Sequence, residues 1–400
     1  MPTHGPDGRE QPEPKGVGEP KDKEPPQATK LIFRILRCVI YTIMLTHIKQ
    51  VPWWLTWWAS VMMWLKIFFG PGFDPMWPPH RAYTTPKLNP DEEAAWKVPG
   101  HMSYCMERLR TTGDKMQIFV QSFVPKGGKD KAKGVVAWVP PMNSYSGFHM
   151  DEITKIRDRG YIVCTIDQEG CGRSAGRHGS FFTYDDVAFD IVDFCTWARK
   201  QGGGLPLTVV GSSWGGTCGA MAALELDDPP AGLVLRNVLV NVNRSWVSKG
   251  GLLGFVLGGW SPMLPLMKAF GFSELPEEVK ARALSDRKYY AGRMLVGTCI
   301  AFNMGISKLM DIVDDMEEEA NFPLLVQHNE GDPVVPFSAI EHMTHVWNSK
   351  QKTLKKYKGS SHHLCYEGAA VCDRAFDDMM DWVDKASAAA AKGGKVSAGR

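Results

Sequence analysis

One serine in this chain has the flanks that turn a poor nucleophile into a usable one. In Gly211-Ser212-Ser213-Trp214-Gly215-Gly216, only Ser213 has glycine both two residues before and two residues after it. The apolar stretch Leu205–Gly211 predicts a short buried strand, and the small-residue run Cys218–Leu226 predicts a helix. Strand, G-x-S-x-G and helix together describe a nucleophile elbow, a sharp turn that projects the serine hydroxyl. A second match, Gly172-Arg173-Ser174-Ala175-Gly176, sits in a polar loop followed by Arg177, His178 and Gly179 rather than a helix. Ser174 therefore reads as a turn residue. A serine hydroxyl also needs a base to take its proton and an acid to orient that base. Both should lie on loops after later strands, in the order serine, acid, histidine. The strand predicted at Phe322–His328 runs into Asn329-Glu330-Gly331-Asp332-Pro333, and Gly331 and Pro333 favour Asp332 over the rival Glu330. The strand predicted at Thr353–Tyr357 runs into Lys358-Gly359-Ser360-Ser361-His362-His363. Spacing does not choose between the two adjacent histidines.

The elements that must position these residues follow from the pattern between residues 103 and 386. Ser103–Thr111 and Met116–Val124 read as an antiparallel pair around Gly113-Asp114. Gly134–Val139 and Tyr161–Asp167 read as fully buried strands, with a helix at Met150–Arg159 between them. Tyr184–Lys200 is an amphipathic helix, and Leu233–Val240 a further buried strand. Short apolar strands alternating with helices predict an α/β fold, a mostly parallel central sheet covered by helices on both faces. The alternation fails over residues 241–320, which read as a helical cap insertion placed over the carboxyl edge of the sheet. Its Leu, Met, Phe and Trp residues could line an acyl tunnel.

Outside this region the composition changes. Residues 1–30 are rich in Pro, Gly, Lys and Glu and predict a disordered tail. Residues 31–75 are hydrophobic and hold Trp53, Trp54, Trp57, Trp58 and Trp64. Val51–Gly70 is long enough to span a bilayer, and its tryptophans suit an interfacial insertion equally well. Residues 31–70 are therefore expected to hold the protein on a membrane surface, with the catalytic domain facing the cytosol. Residues 76–102 read as a Pro-rich linker and 387–400 as a flexible tail. The formal charge of +2 gives no reason to invoke a nucleic-acid partner. The nine cysteines lack C-x-x-C pairs and several fall in apolar patterns, which suits reduced thiols.

Residues 103–386 resemble the monoacylglycerol lipase branch of the α/β-hydrolases, the serine aminopeptidase-like group. The resemblance rests on Asp167-Gln168-Glu169-Gly170-Cys171-Gly172-Arg173-Ser174, on the serine motif, on Glu330-Gly331-Asp332-Pro333-Val334-Val335, and on Asp286–Arg293 in the cap. It implies the α/β-hydrolase fold. In such proteins the catalytic histidine is followed five residues later by glutamate, and His362 with Glu367 has that spacing, so the resemblance assigns His362 as base. Ser174 falls in a loop position that such proteins share. Where family members carry His-Gly, this chain has Pro140-Pro141. Proline has no N–H, so the oxyanion donors are expected to be the amides of Met142 and Trp214. The positions matching the family's headgroup-binding Glu and Arg are Ser144 and Phe148, and Cys365 stands where some members have a second histidine.

The expected activity is hydrolysis of carboxylic esters of lipids through an acyl-enzyme on Ser213, His362 and Asp332, with no metal or organic cofactor. The alternatives are a lipid acyltransferase or a serine peptidase using the same residues, or a non-catalytic binding protein on the same fold.

Overall fold

Strands β1 (Met102–Leu109), β2 (Lys115–Phe123), β3 (Val135–Val139), β4 (Ile162–Ile166), β5 (Leu207–Ser212) and β6 (Gly232–Arg236) open the fold. They are followed by β7 (Pro265–Lys268), β8 (Arg293–Leu295), β9 (Leu324–Asn329) and β10 (Lys352–Tyr357). In this computed structural model residues 90–241, 265–268, 272 and 275–397 are described, apart from positions 112 and 114. The expectations for residues 1–89 and for 242–264 of the insertion lie outside the described residues.

One eight-stranded sheet runs in the order β1-β2-β4-β3-β5-β6-β9-β10. The β1–β2 and β2–β4 pairs are antiparallel, and every later neighbour is parallel. The central strands β3, β4, β6 and β9 are buried along their whole length, as expected of parallel strands covered on both faces. The edge strand β10 instead carries the exposed Lys352, Lys355 and Lys356, which discourage edge-to-edge pairing.

Helices cover both faces. Helix α1 (Pro90–Trp96) precedes β1; between strands lie α2 (Met150–Asp158), α3 (Tyr184–Gly202), α4 (Trp214–Glu225), α5 (Glu277–Ser285), α6 (Val296–Asp314) and α7 (Phe337–Val346), and α8 (Ala369–Ser397) follows β10. One core packs Val187 and Phe194 of α3, Cys218 and Ala222 of α4, Phe302 and Leu309 of α6 and Ile340 of α7 onto the sheet. The other packs Ala95 of α1, Ile153 and Ile156 of α2, and Met379, Met380 and Val383 of α8 onto the opposite face. Helix α3 shows how its ends are set: Asp185 and Asp186 in the first turn and Arg199 and Lys200 in the last complement the peptide dipoles.

Several boundaries differ from the sequence reading, each for a tertiary reason. The linker expected over 76–102 contains α1, whose Glu92 is fully buried between Arg173 and Lys288. Its polar composition hid this, because the apolar side of a seven-residue helix is too short to show a period. The tail expected over 387–400 is helical as far as Ser397, as the end of α8. The insertion is not all cap: α6 joins the main core, with the Phe302 ring 5.0 Å from that of Trp214. Among the described residues α6 is the one helix long and apolar enough to cross a bilayer, but half of its apolar window is buried in the fold.

Candidate active site

Ser213 lies between β5, which ends at Ser212, and α4, which begins at Trp214. Its φ of 52° and ψ of −124° put an L-residue in a region normally left to glycine, so the turn is strained. Hydrogen bonds hold it there: Ser213 N–H donates to Arg236 O at 2.9 Å, and its carbonyl accepts from Gly216 and Thr217 at 2.9 and 3.2 Å. The flanking glycines make the approach possible. A Cβ on Gly211 would lie 2.4 Å from Gly215 O, and one on Gly215 would lie 2.2 Å from Pro140 O. The helix begins four residues before the predicted start, directly after the serine.

Strands β5, β6, β9 and β10 are parallel neighbours, so the loops leaving their carboxyl ends share one edge of the sheet. Three residues far apart in sequence meet there. Ser213 Oγ is 2.8 Å from His362 Nε2, and His362 Nδ1 is 2.8 Å from Asp332 Oδ2. All three are buried, at 6, 2 and 7% exposure. The network fits a neutral imidazole whose Nδ1–H donates to the carboxylate and whose Nε2 accepts from the serine hydroxyl.

Asp332 is fixed on both oxygens. Oδ1 accepts from the amides of Val334 and Val335 at 2.8 and 3.1 Å, and Oδ2 also accepts from Asn237 Nδ2 at 3.1 Å. Burial raises its pKa, but the hydrogen bond from His362, the charge that His362 and His328 carry when protonated, and the Val334 amide outweigh burial and hold it below the ordinary carboxylate value. His328 Nε2 lies 3.3 Å from the same Oδ2 and 3.2 Å from Val335 O. Burial foremost lowers the His328 pKa, against the opposing pull of Asp332 and of the Val335 carbonyl. Asn237 and His328 were not found by sequence reasoning. His328 reads as the end of an apolar strand, and Asn237, at a φ of 44° just past β6, carries no local signal for its distant partner.

The rival residues have other contacts. Glu330 is exposed and pairs with Lys356 at 3.5 Å. His363 meets the His362 ring edge-on, with centroids 5.4 Å apart. The Glu367 carboxylate accepts from the amides of Ser360 and Ser361 and from Asn329 Nδ2, and so braces the loop that carries His362. Ser174 is a tie within its turn: its hydroxyl donates to Asp167 O and accepts from Phe119 N–H.

Trp214 opens α4, where first-turn amides have no acceptor within the helix. Met142 lies in the loop after β3, and the close approach of Gly215 to Pro140 O sets that loop against the start of α4. Gln168 Nε2 donates to Pro140 O at 2.7 Å, and Asp167 Oδ1 accepts from Ser146 N–H at 2.8 Å, so the loop is tied at both ends. Burial foremost raises the Asp167 pKa, with Arg173 and Ser146 opposing it. Ser144 Oγ is 2.8 Å from His149 Nε2, and burial pushes His149 down to about 3. Phe148 carries no charge, but the Arg282 guanidinium of α5 lies 4.0 Å over its ring, a contact the sequence did not reveal. Burial pushes the Cys365 thiol up to about 12, which disfavours a reactive thiolate.

A family model described as serine aminopeptidase, S33 (Hydrolase_4) matches residues 130–369, more than half of the chain. The human monoglyceride lipase is 22% identical over 305 residues, covering 75% of this chain and 98% of the relative. The monoacylglycerol lipase of Mycolicibacterium smegmatis is 23% identical over 256 residues, covering 63% and 88%. A soluble variant of monoglyceride lipase from Saccharomyces cerevisiae, solved with a substrate analog, superposes with a TM-score of 0.59 at 18% identity, covering 70% of this chain and 96% of that one. The chain therefore has the α/β-hydrolase fold and belongs to the serine aminopeptidase S33 family.

Proposed function

We propose that this protein is a serine hydrolase that cleaves carboxylic esters of lipids, with Ser213 as nucleophile, His362 as base and Asp332 as orienting acid. The observation that carries the reading is the hydrogen-bonded chain from Ser213 Oγ through both nitrogens of His362 to Asp332. In the reaction, Ser213 Oγ attacks the ester carbonyl while His362 Nε2 takes its proton. Asp332 stabilises the imidazolium, and the amides of Met142 and Trp214 donate to the developing oxyanion. The intermediate collapses to an acyl-enzyme as His362 returns the proton to the leaving alcohol. Water then attacks the acyl group with His362 again as base, and the carboxylic acid departs.

Lipid esters are the favoured substrate class because relatives named as monoglyceride and monoacylglycerol lipases align over most of the chain. The Trp-rich residues 31–70 agree with it, since they would bring the domain to a membrane where such substrates reside. Exchanging Ser213→Ala should abolish both ester hydrolysis and labelling by a fluorophosphonate. Hydrolysis of a p-nitrophenyl ester by that variant at the wild-type rate would rule the assignment out.

A further inference from the structure

Beside the catalytic loops lies a cavity of about 420 Å³ whose lining includes neither Ser213, His362 nor Asp332. Part of its wall is Arg236, the last residue of β6, which is 4% exposed. Nη1 of Arg236 donates to Glu152, and its Nε–H has no acceptor among the described residues. A guanidinium offers five N–H donors in a fixed plane, so one carboxylate neighbour leaves this buried group short of acceptors.

A second guanidinium faces the same space. Arg282 of α5 stacks on Phe148 and donates through Nη2 to Phe148 O at 2.9 Å, with no carboxylate partner among the described residues. Lys155 is also in the lining, and its 3.4 Å contact with Asp373 is an exposed pair of the kind that holds weakly. The remaining acids of the lining, Asp151 and Glu278, are exposed to water. Apolar rings from Phe148, Tyr366 and Phe376 close the sides.

We propose that this cavity binds a phosphate-type oxyanion on Arg236 and Arg282, with Lys155 as a third cation. Two guanidinium groups and an ammonium supply more donors than the two oxygens of a carboxylate can accept. A phosphate monoester presents three terminal oxygens and up to two charges, which matches them better. The source of the phosphate is either a free small molecule or the headgroup of an anionic lipid. The position matters, because Arg236 O accepts the Ser213 N–H and the next residue, Asn237, donates to Asp332. A ligand on the Arg236 side chain thus adjoins the supports of both groups.

The test uses the full-length Ser213→Ala protein in neutral detergent micelles, so that turnover does not enter the readout. Thermal unfolding is followed by tryptophan fluorescence during titration with inorganic phosphate against sodium chloride of equal ionic strength. A parallel titration compares lysophosphatidate with a monoacylglycerol of the same chain. A saturable rise in Tm is expected with the phosphate-bearing partner of either pair. A rise with lysophosphatidate alone assigns the source to lipid, and a rise with inorganic phosphate alone assigns it to a free ligand. Adding Arg282→Ala, with its fold checked by circular dichroism, should weaken the apparent Kd by about tenfold or more, the size of one lost charged hydrogen-bond set. No saturable shift from either phosphate compound, or an unchanged Kd in the Arg282→Ala protein, would overturn the proposal. Neither result bears on whether Ser213 is a nucleophile.

Discussion

Exchanging Asp332→Asn changes a single heavy atom and should nevertheless reverse the direction of a hydrogen-bond chain. The carboxylate receives Val334 and Val335 amides on Oδ1 and the His362 and Asn237 side chains on Oδ2. An asparagine has one oxygen and one NH₂ for these two positions. The backbone amides cannot turn round, so the oxygen takes the Oδ1 position and the NH₂ faces His362. The Asn237 amide can flip to present its oxygen, and the His362 ring must then accept at Nδ1. That places the proton on Nε2, which donates toward Ser213 and no longer accepts its hydrogen. The geometry survives while the base is lost, and a wrong tautomer of this kind costs about 10⁴-fold in rate, or about 5 kcal/mol of barrier. The assay is the pre-steady-state rate of p-nitrophenol release from a soluble ester, alongside the rate of fluorophosphonate labelling, with circular dichroism to show an intact fold. The pH dependence of stability gives a second reading. Because the Asp332 pKa is held below its ordinary value, its contribution is complete above about pH 4 and is lost as pH falls through the folded-state pKa. The advantage of wild type over Asp332→Asn in urea unfolding should therefore shrink on acidification. A variant that acylates within tenfold of wild type would refute the reasoning, because the chain of hydrogen bonds would then not control the protonation of His362.

Glu92→Gln leaves Arg173 and Lys288 buried without their carboxylate, and should cost about 3–5 kcal/mol in urea unfolding. Adding Lys288→Met should recover part of that loss, and a cost under about 1 kcal/mol for the single variant would show that the pair carries little. Deleting residues 1–75, which leaves α1 in place, should move ester-hydrolysing protein from the membrane fraction to the soluble fraction; retention on membranes would contradict the role proposed for residues 31–70.

Much of the candidate site was legible before any fold was known, because it is written in local stereochemistry. Glycines at 211 and 215 around Ser213 are demanded by contacts within one turn and its immediate neighbours, so the motif marks them directly. The buried strands declared themselves as unbroken apolar runs, and the loops after β9 and β10 displayed Asp332 and His362 in chain order. What tertiary structure decided is everything that depends on which strands lie side by side and which way a loop residue points. Sequence spacing left His362 and His363 equal; the packing of the loop against Asp332 and Glu367 separates them. It gave no hint that Asn237, 95 positions away, steadies Asp332, or that Glu92 in an apparent linker would be sealed between two cations. Such pairings join segments brought together only when the sheet closes, and a one-dimensional pattern has no coordinate for that distance.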